Sequence, residues 1–177
     1  MSDLRPTGIP VNIDGVDRYF LFTFKAIDEL QFRHPGMNIF RQVEAAKDDT
    51  LDGLLFLIDL VDVLCCGEIP KTVIPKVLSK NVLTNEGSLT DVRIAVNLAL
   101  IASMPEIDDT EVDEDPEGSG MFEIQKYLVI AMGKFGMTEP EAWEMTPRKF
   151  ALLNDAYLYV NGMKKAKEKQ MSLLDLP

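Results

Sequence analysis

The side chains that could do chemistry in this chain are few and poorly grouped. Asp52, Asp59 and Asp62 fall within one apolar run, and acid–base work needs two carboxylates whose surroundings drive their pKa values apart. Their spacing places them on the wet side of a helix instead. DDTEVDED, residues 108–115, has the charge for calcium but lacks the ligand spacing and central glycine of an EF-hand loop. Cys65 and Cys66 are adjacent, so they close no useful loop, and His34 is the sole histidine, too little for a zinc site. There is no glycine-rich phosphate loop and no nucleophile elbow. The expectation is a protein that is not an enzyme and has no cofactor or metal.

Composition points the same way. The 177 residues are 46% hydrophobic and 27% charged, enough for a substantial core. A net charge of −11 disfavours nucleic-acid binding, which needs basic surface. The opening MSDLRPTGIP does not read as a signal peptide. The apolar run 54–66 is interrupted by Asp59 and Asp62 and is too short for a membrane span.

The elements follow from patterning. Ile9, Val11 and Ile13 alternate with polar or small residues, and Phe20, Phe22 and Phe24 share one face of a second run. Asp14-Gly15 between the runs predicts a hairpin with a tight turn. The segment after it, capped by Thr23 and running to Gln31, is expected to cover the hairpin with Ile27 and Leu30. His34-Pro35-Gly36 breaks that helix. A second helix over 38–47 would bury Phe40, Val43 and Ala46. A third, opened by Thr50 and closed by Gly67, would bury Leu51, Leu54, Leu55, Ile58, Val61, Leu64 and Cys65. A weaker segment over 71–80 contains Pro75. The helix at 89–103 would turn Val92, Ala95, Val96, Ala99 and Leu100 inward.

Residues 105–120 carry eight acidic side chains and no basic one, the composition of a flexible linker. Beyond it Phe122, Ile124, Tyr127, Leu128, Ile130, Ala131 and Phe135 form an apolar helix ended by Gly136. Two helix starts follow, Thr138-Glu139-Pro140-Glu141 and Thr146-Pro147-Arg148-Lys149, each with threonine at the cap and proline in the first turn. The second helix would run to Val160 with Phe150, Leu153, Ala156, Tyr157 and Val160 inward. The expected fold is mainly α with a small N-terminal β-hairpin (α+β). It divides into a hairpin-plus-helical domain (1–104), an acidic linker (105–120), a small C-terminal helical unit (121–163) and a basic, then apolar, tail (164–177).

The block GMTEPEAWEMTPRKFALLNDAY resembles the C-terminal segment of tail assembly chaperones of long-tailed (siphovirus- or myovirus-like) bacteriophages and prophages. The resemblance rests on Gly136, Met137, Thr138, Glu141, Trp143, Met145, Thr146, Pro147, Arg148 and Phe150, while Lys149 departs from the usual acidic residue. IDGVDRYFLFTFKAIDEL at the front end is similar to the same family, and together the two blocks cover roughly a quarter of the chain. The resemblance implies a non-catalytic chaperone in the bacterial cytoplasm, absent from the mature virion. Its partners would be the tape-measure protein and tail-tube subunits, with homo-oligomerisation left open. Some relatives gain the C-terminal unit by ribosomal frameshifting.

The candidate partner-binding residues are Met132, Met137, Trp143, Met145, Arg148 and Phe150, because methionine adapts to a partner and tryptophan is a frequent hot spot. The same tryptophan and methionines could equally be core. An alternative adaptor reading rests on residues 170–174, QMSLL, similar to peptides that dock on the bacterial sliding clamp.

Overall fold

In the computed structural model, which describes residues 8–13, 15–69, 73–76, 89–106 and 121–163, the chain is mainly helical with one small antiparallel hairpin. β1 (Ile9–Ile13) and β2 (Val16–Phe20) pair with Ile9 opposite Phe20 and Ile13 opposite Val16, which leaves two residues for the turn. Gly15 sits there at φ 77°, a left-handed value that only glycine adopts freely. The Asn12 side chain accepts from the Gly15 N–H at 3.1 Å and donates to Asp17 at 2.8 Å, locking the register. Val11, Ile13, Phe20, Phe22 and Phe24 are all buried.

Seven helices are described along their length, α1 (Phe24–Arg33), α2 (Ile39–Ala45), α3 (Leu51–Leu64), α4 (Leu89–Ser103), α5 (Ile124–Phe135), α6 (Glu139–Trp143) and α7 (Pro147–Val160), and residues 74–76 are also helical. Their starts are chemically explicit. Thr23, Asn38, Thr50 and Thr146 each accept a hydrogen bond from a backbone N–H of the first turn, at 3.2, 2.9, 3.1 and 3.2 Å. At α6 the Glu141 carboxylate accepts from both the N–H and the hydroxyl of Thr138, at 2.9 and 2.7 Å, and these bonds hold its pKa below the usual value. Gly136 ends α5 in the left-handed conformation at φ 66°.

The hairpin is covered by α4 rather than by α1. The expectation from chain order gives way to a sturdier seam: buried Ser103 near the end of α4 accepts from the Phe22 N–H at 3.0 Å and donates to the Ala99 carbonyl at 2.7 Å. The inward residues expected for α4, from Val92 to Leu100, are all buried.

α3 buries Ile58, Val61, Leu64 and Cys65 as expected but is enclosed more widely than its pattern predicts. It packs against α1, α2 and α4, so almost every side chain from Leu57 to Cys65 is buried. Leu51 and Leu55, expected inside, are 73% and 52% exposed, while Leu57 and Leu60 take the core positions. Asp59 and Asp62, expected in water, are buried because α1 lies across them. Gly53 permits this packing, since a Cβ there would lie 2.4 Å from the Asp48 carbonyl oxygen and 2.8 Å from that of Ala45. In α2, Ile39 is buried and Phe40 is the exposed residue, tilted against Phe122.

The C-terminal helices share one core with the N-terminal ones. Phe24 stacks on Tyr127 with ring centroids 5.2 Å apart, and its N–H, unpaired within α1, donates to the Met145 carbonyl at 2.8 Å. The Gln31 side-chain amide pairs with the backbone of Phe122 in both directions, donating at 3.1 Å and accepting at 2.7 Å. Replacing Gln31 with Ala removes both bonds and is expected to destabilise the fold by about 1–2 kcal/mol. Hydrogen exchange at the Phe122 amide should accelerate; unchanged exchange there would show the pair contributes nothing.

α7 buries only its first half. Pro147 and Phe150 are buried and Leu153 is partly so, but Ala156 and Val160, both expected inside, are exposed. α5 stops at Phe135, which meets Tyr157, so the last turn of α7 extends past its neighbour. Asn161 and Gly162 end it as expected, with Gly162 at φ 68°. Only residues 73–76 of the weak 71–80 segment are described. Of the linker expected over 105–120, Pro105 and Glu106 are described, and residues 107–120 and the tail from 164 onward lie outside the described residues.

Candidate functional site

The chemistry-bearing residues that the fold brings together come from α1 and α3. Arg33 ends α1, and its guanidinium donates to Glu29 one turn earlier at 2.7 Å and to Asp62 at 2.5 Å, with Asp59 3.6 Å away. His34 Nε2 lies 3.0 Å from the other Asp59 oxygen, and its ring sits 4.8 Å from that of Phe56. Burial by itself would lower the Arg33 pKa, but the bonds to Asp62 and Glu29 outweigh it and raise the value. The two carboxylates are thus held by a permanent cation and a histidine. That arrangement joins two helices. Sequence reading missed it because its partners are far apart in the chain, although Arg33-His34 at one helix end and Asp59/Asp62 one turn apart were visible signals.

Beside this cluster a groove runs along the exposed row Lys25–Glu29–Arg33 of α1. One end, about 460 Å³, is lined by Lys25, Asp28, Glu29, Glu139, Trp143 and Glu144. The other, about 440 Å³, shares Lys25, Glu29 and Glu144 and reaches Tyr19, Leu64 and Cys66. Trp143 is half-buried, and its indole N–H donates to Glu139 at 3.3 Å. Lys25 lies 3.8 Å from Glu144. Partial burial, and to a lesser extent neighbouring Glu29, raise the Asp28 pKa.

The six residues proposed from sequence separate under this geometry. Met145 is 1% exposed and Phe150 8%, both core positions, so neither offers a side chain to a partner in this fold; Phe150 packs edge-on against Tyr127. Met137 is partly buried under the end of α5. Arg148 is part-exposed and ion-paired with Glu106. Met132 is 37% exposed on α5 near the more exposed Val129. Trp143 is at once packed against the core and open to the groove.

The cysteines differ sharply. Cys65 is buried, and loss of solvation pushes its thiol up to about 11, despite nearby Arg18. Cys66 is exposed in a left-handed turn at φ 54°. At pH 8 a thiol reagent should therefore modify Cys66 promptly and Cys65 only as the protein opens. Two equally fast thiols would contradict the described burial.

Exposed apolar side chains also align on α4. Ile94, Leu98 and Ile101 stand at i, i+4 and i+7, opposite the face buried against the hairpin. Among the described residues no group of three His, Cys, Asp or Glu side chains is arranged to hold a metal ion, and no helix is long and apolar enough to cross a membrane. The chain matches no family model, no curated protein and no solved structure.

Proposed function

We propose that the chain is a tail assembly chaperone of a long-tailed bacteriophage. In this reading it binds the tape-measure protein and recruits tail-tube subunits in the bacterial cytoplasm without chemistry, and it is left out of the finished virion. The motifs around Thr138–Glu141–Trp143 and Thr146–Pro147–Arg148 support it by resemblance. The observation that carries it furthest is the apolar stripe Ile94–Leu98–Ile101. The inner face of α4 is already occupied by the core, so a stripe of this spacing on its outer face suits a second helix laid along it. A tape-measure protein, being long and helical, presents such faces repeatedly, and weak repeated contacts are what a holding chaperone needs.

The reading requires a tail-tube gene just upstream and a very long tape-measure gene just downstream. Changing Leu98 and Ile101 together to Lys should lower retention of the co-expressed tape-measure protein about tenfold or more, since buried apolar anchors dominate such interfaces. The melting temperature should hold, because both side chains are exposed. Undiminished retention with the fold intact would rule out the α4 stripe as the contact.

A further inference from the structure

We propose that the groove along α1 is a docking site for the lysine-rich stretch that follows α7 in the same chain, residues 164–169. The groove wall is unbalanced in charge: Asp28, Glu29, Glu139 and Glu144 face Lys25, while Arg33 is committed to Asp62 and Glu29. Residues 164–169 supply Lys164, Lys165, Lys167 and Lys169 against one glutamate, Glu168. The Trp143 ring adds a surface over which an ammonium group is attracted, and the apolar lysine stems cover its edge.

The connection is short enough. Tyr157 of α7 packs on Phe135, with ring centroids 6.2 Å apart. Phe135 is joined to groove residue Glu139 by four backbone steps, which span at most about 15 Å. The chain folds back at the end of α7, where the Met163 N–H donates to the Leu158 carbonyl at 2.9 Å. Extended chain from Met163 to Lys169 covers about 20 Å, so the later lysines can reach the groove with α7 intact.

Because Trp143 is the only tryptophan, its fluorescence reads the groove alone. In the full-length chain, changing Lys164, Lys165, Lys167 and Lys169 to Gln should raise acrylamide quenching of Trp143 about twofold at low salt, with an unchanged circular dichroism spectrum. A synthetic peptide of residues 163–170 should then restore protection of the variant, while acting weakly on the unaltered chain. About 0.3 M salt should abolish both effects. Equal quenching of the two proteins, together with no response of the variant to the peptide, would overturn the proposal. Protection of the unaltered chain that disappears on dilution would also overturn it, by placing the segment of a second copy in the groove.

Discussion

Replacing Phe24 with Ala is expected to lower stability by about 3–5 kcal/mol and to shift the single unfolding transition of the whole chain. Phe24 is fully buried where the hairpin, α1, α5 and α7 converge. Its ring stacks on Tyr127 at an interplanar angle of 16° and meets Phe150 edge-on at 71° with centroids 6.0 Å apart. Truncation removes both aromatic contacts and leaves a cavity that rigid neighbours can fill only in part. A fall in melting temperature of about 10 °C is expected, with N- and C-terminal probes moving together. Changing exposed Leu152 to Ala should shift the midpoint little. Two separated transitions in the Phe24 variant would mean that the C-terminal helices fold as an independent unit.

The second large effect belongs to Arg33. Changing it to Met keeps most of the stem but takes the cation from Asp62, whose side chain is 11% exposed, and leaves Asp59, 12% exposed, with His34. Breaking one side of a buried ion group costs more than the group contributes, because the Asp62 charge then lies out of water without its cation. A loss of about 3 kcal/mol is expected, read as a lower urea midpoint at unchanged slope. Adding Asp62→Asn to the Arg33 variant should recover most of it, since the charge that lost its cation is then gone. If the double variant is no more stable than Arg33→Met alone, the loss came from packing of the arginine stem.

The features legible in sequence are those whose cause is local. Thr23, Thr50 and Thr146 cap their own helices, and Gly15 and Gly136 stand where left-handed backbone is needed. The helix α3 was legible in extent and in the burial of Ile58, Val61, Leu64 and Cys65, but not in how far round its surface the core extends. Enclosure by three other helices buries Leu57 and Leu60 as well, leaves Leu51 and Leu55 outside, and covers Asp59 and Asp62 beside Arg33. A polar residue on an apolar helix reads as solvated unless its partner is known, and here the partner lies on another helix. Gln31 was hidden for the same reason, being an ordinary surface residue until Phe122 is placed beside it. Trp143 was marked by its rarity, but the carboxylates around it come from α1 as well as α6.

The adaptor reading is tested most directly by purifying the full-length chain and titrating it by calorimetry into fragments of the tape-measure protein that the proposed function requires as its partner. Saturable binding to at least one helical fragment, with the negative heat-capacity change of apolar burial and weakened by Leu98→Lys, is the expected result. No heat of binding to any fragment, with co-expression also failing to keep the tape-measure protein soluble, would contradict the account.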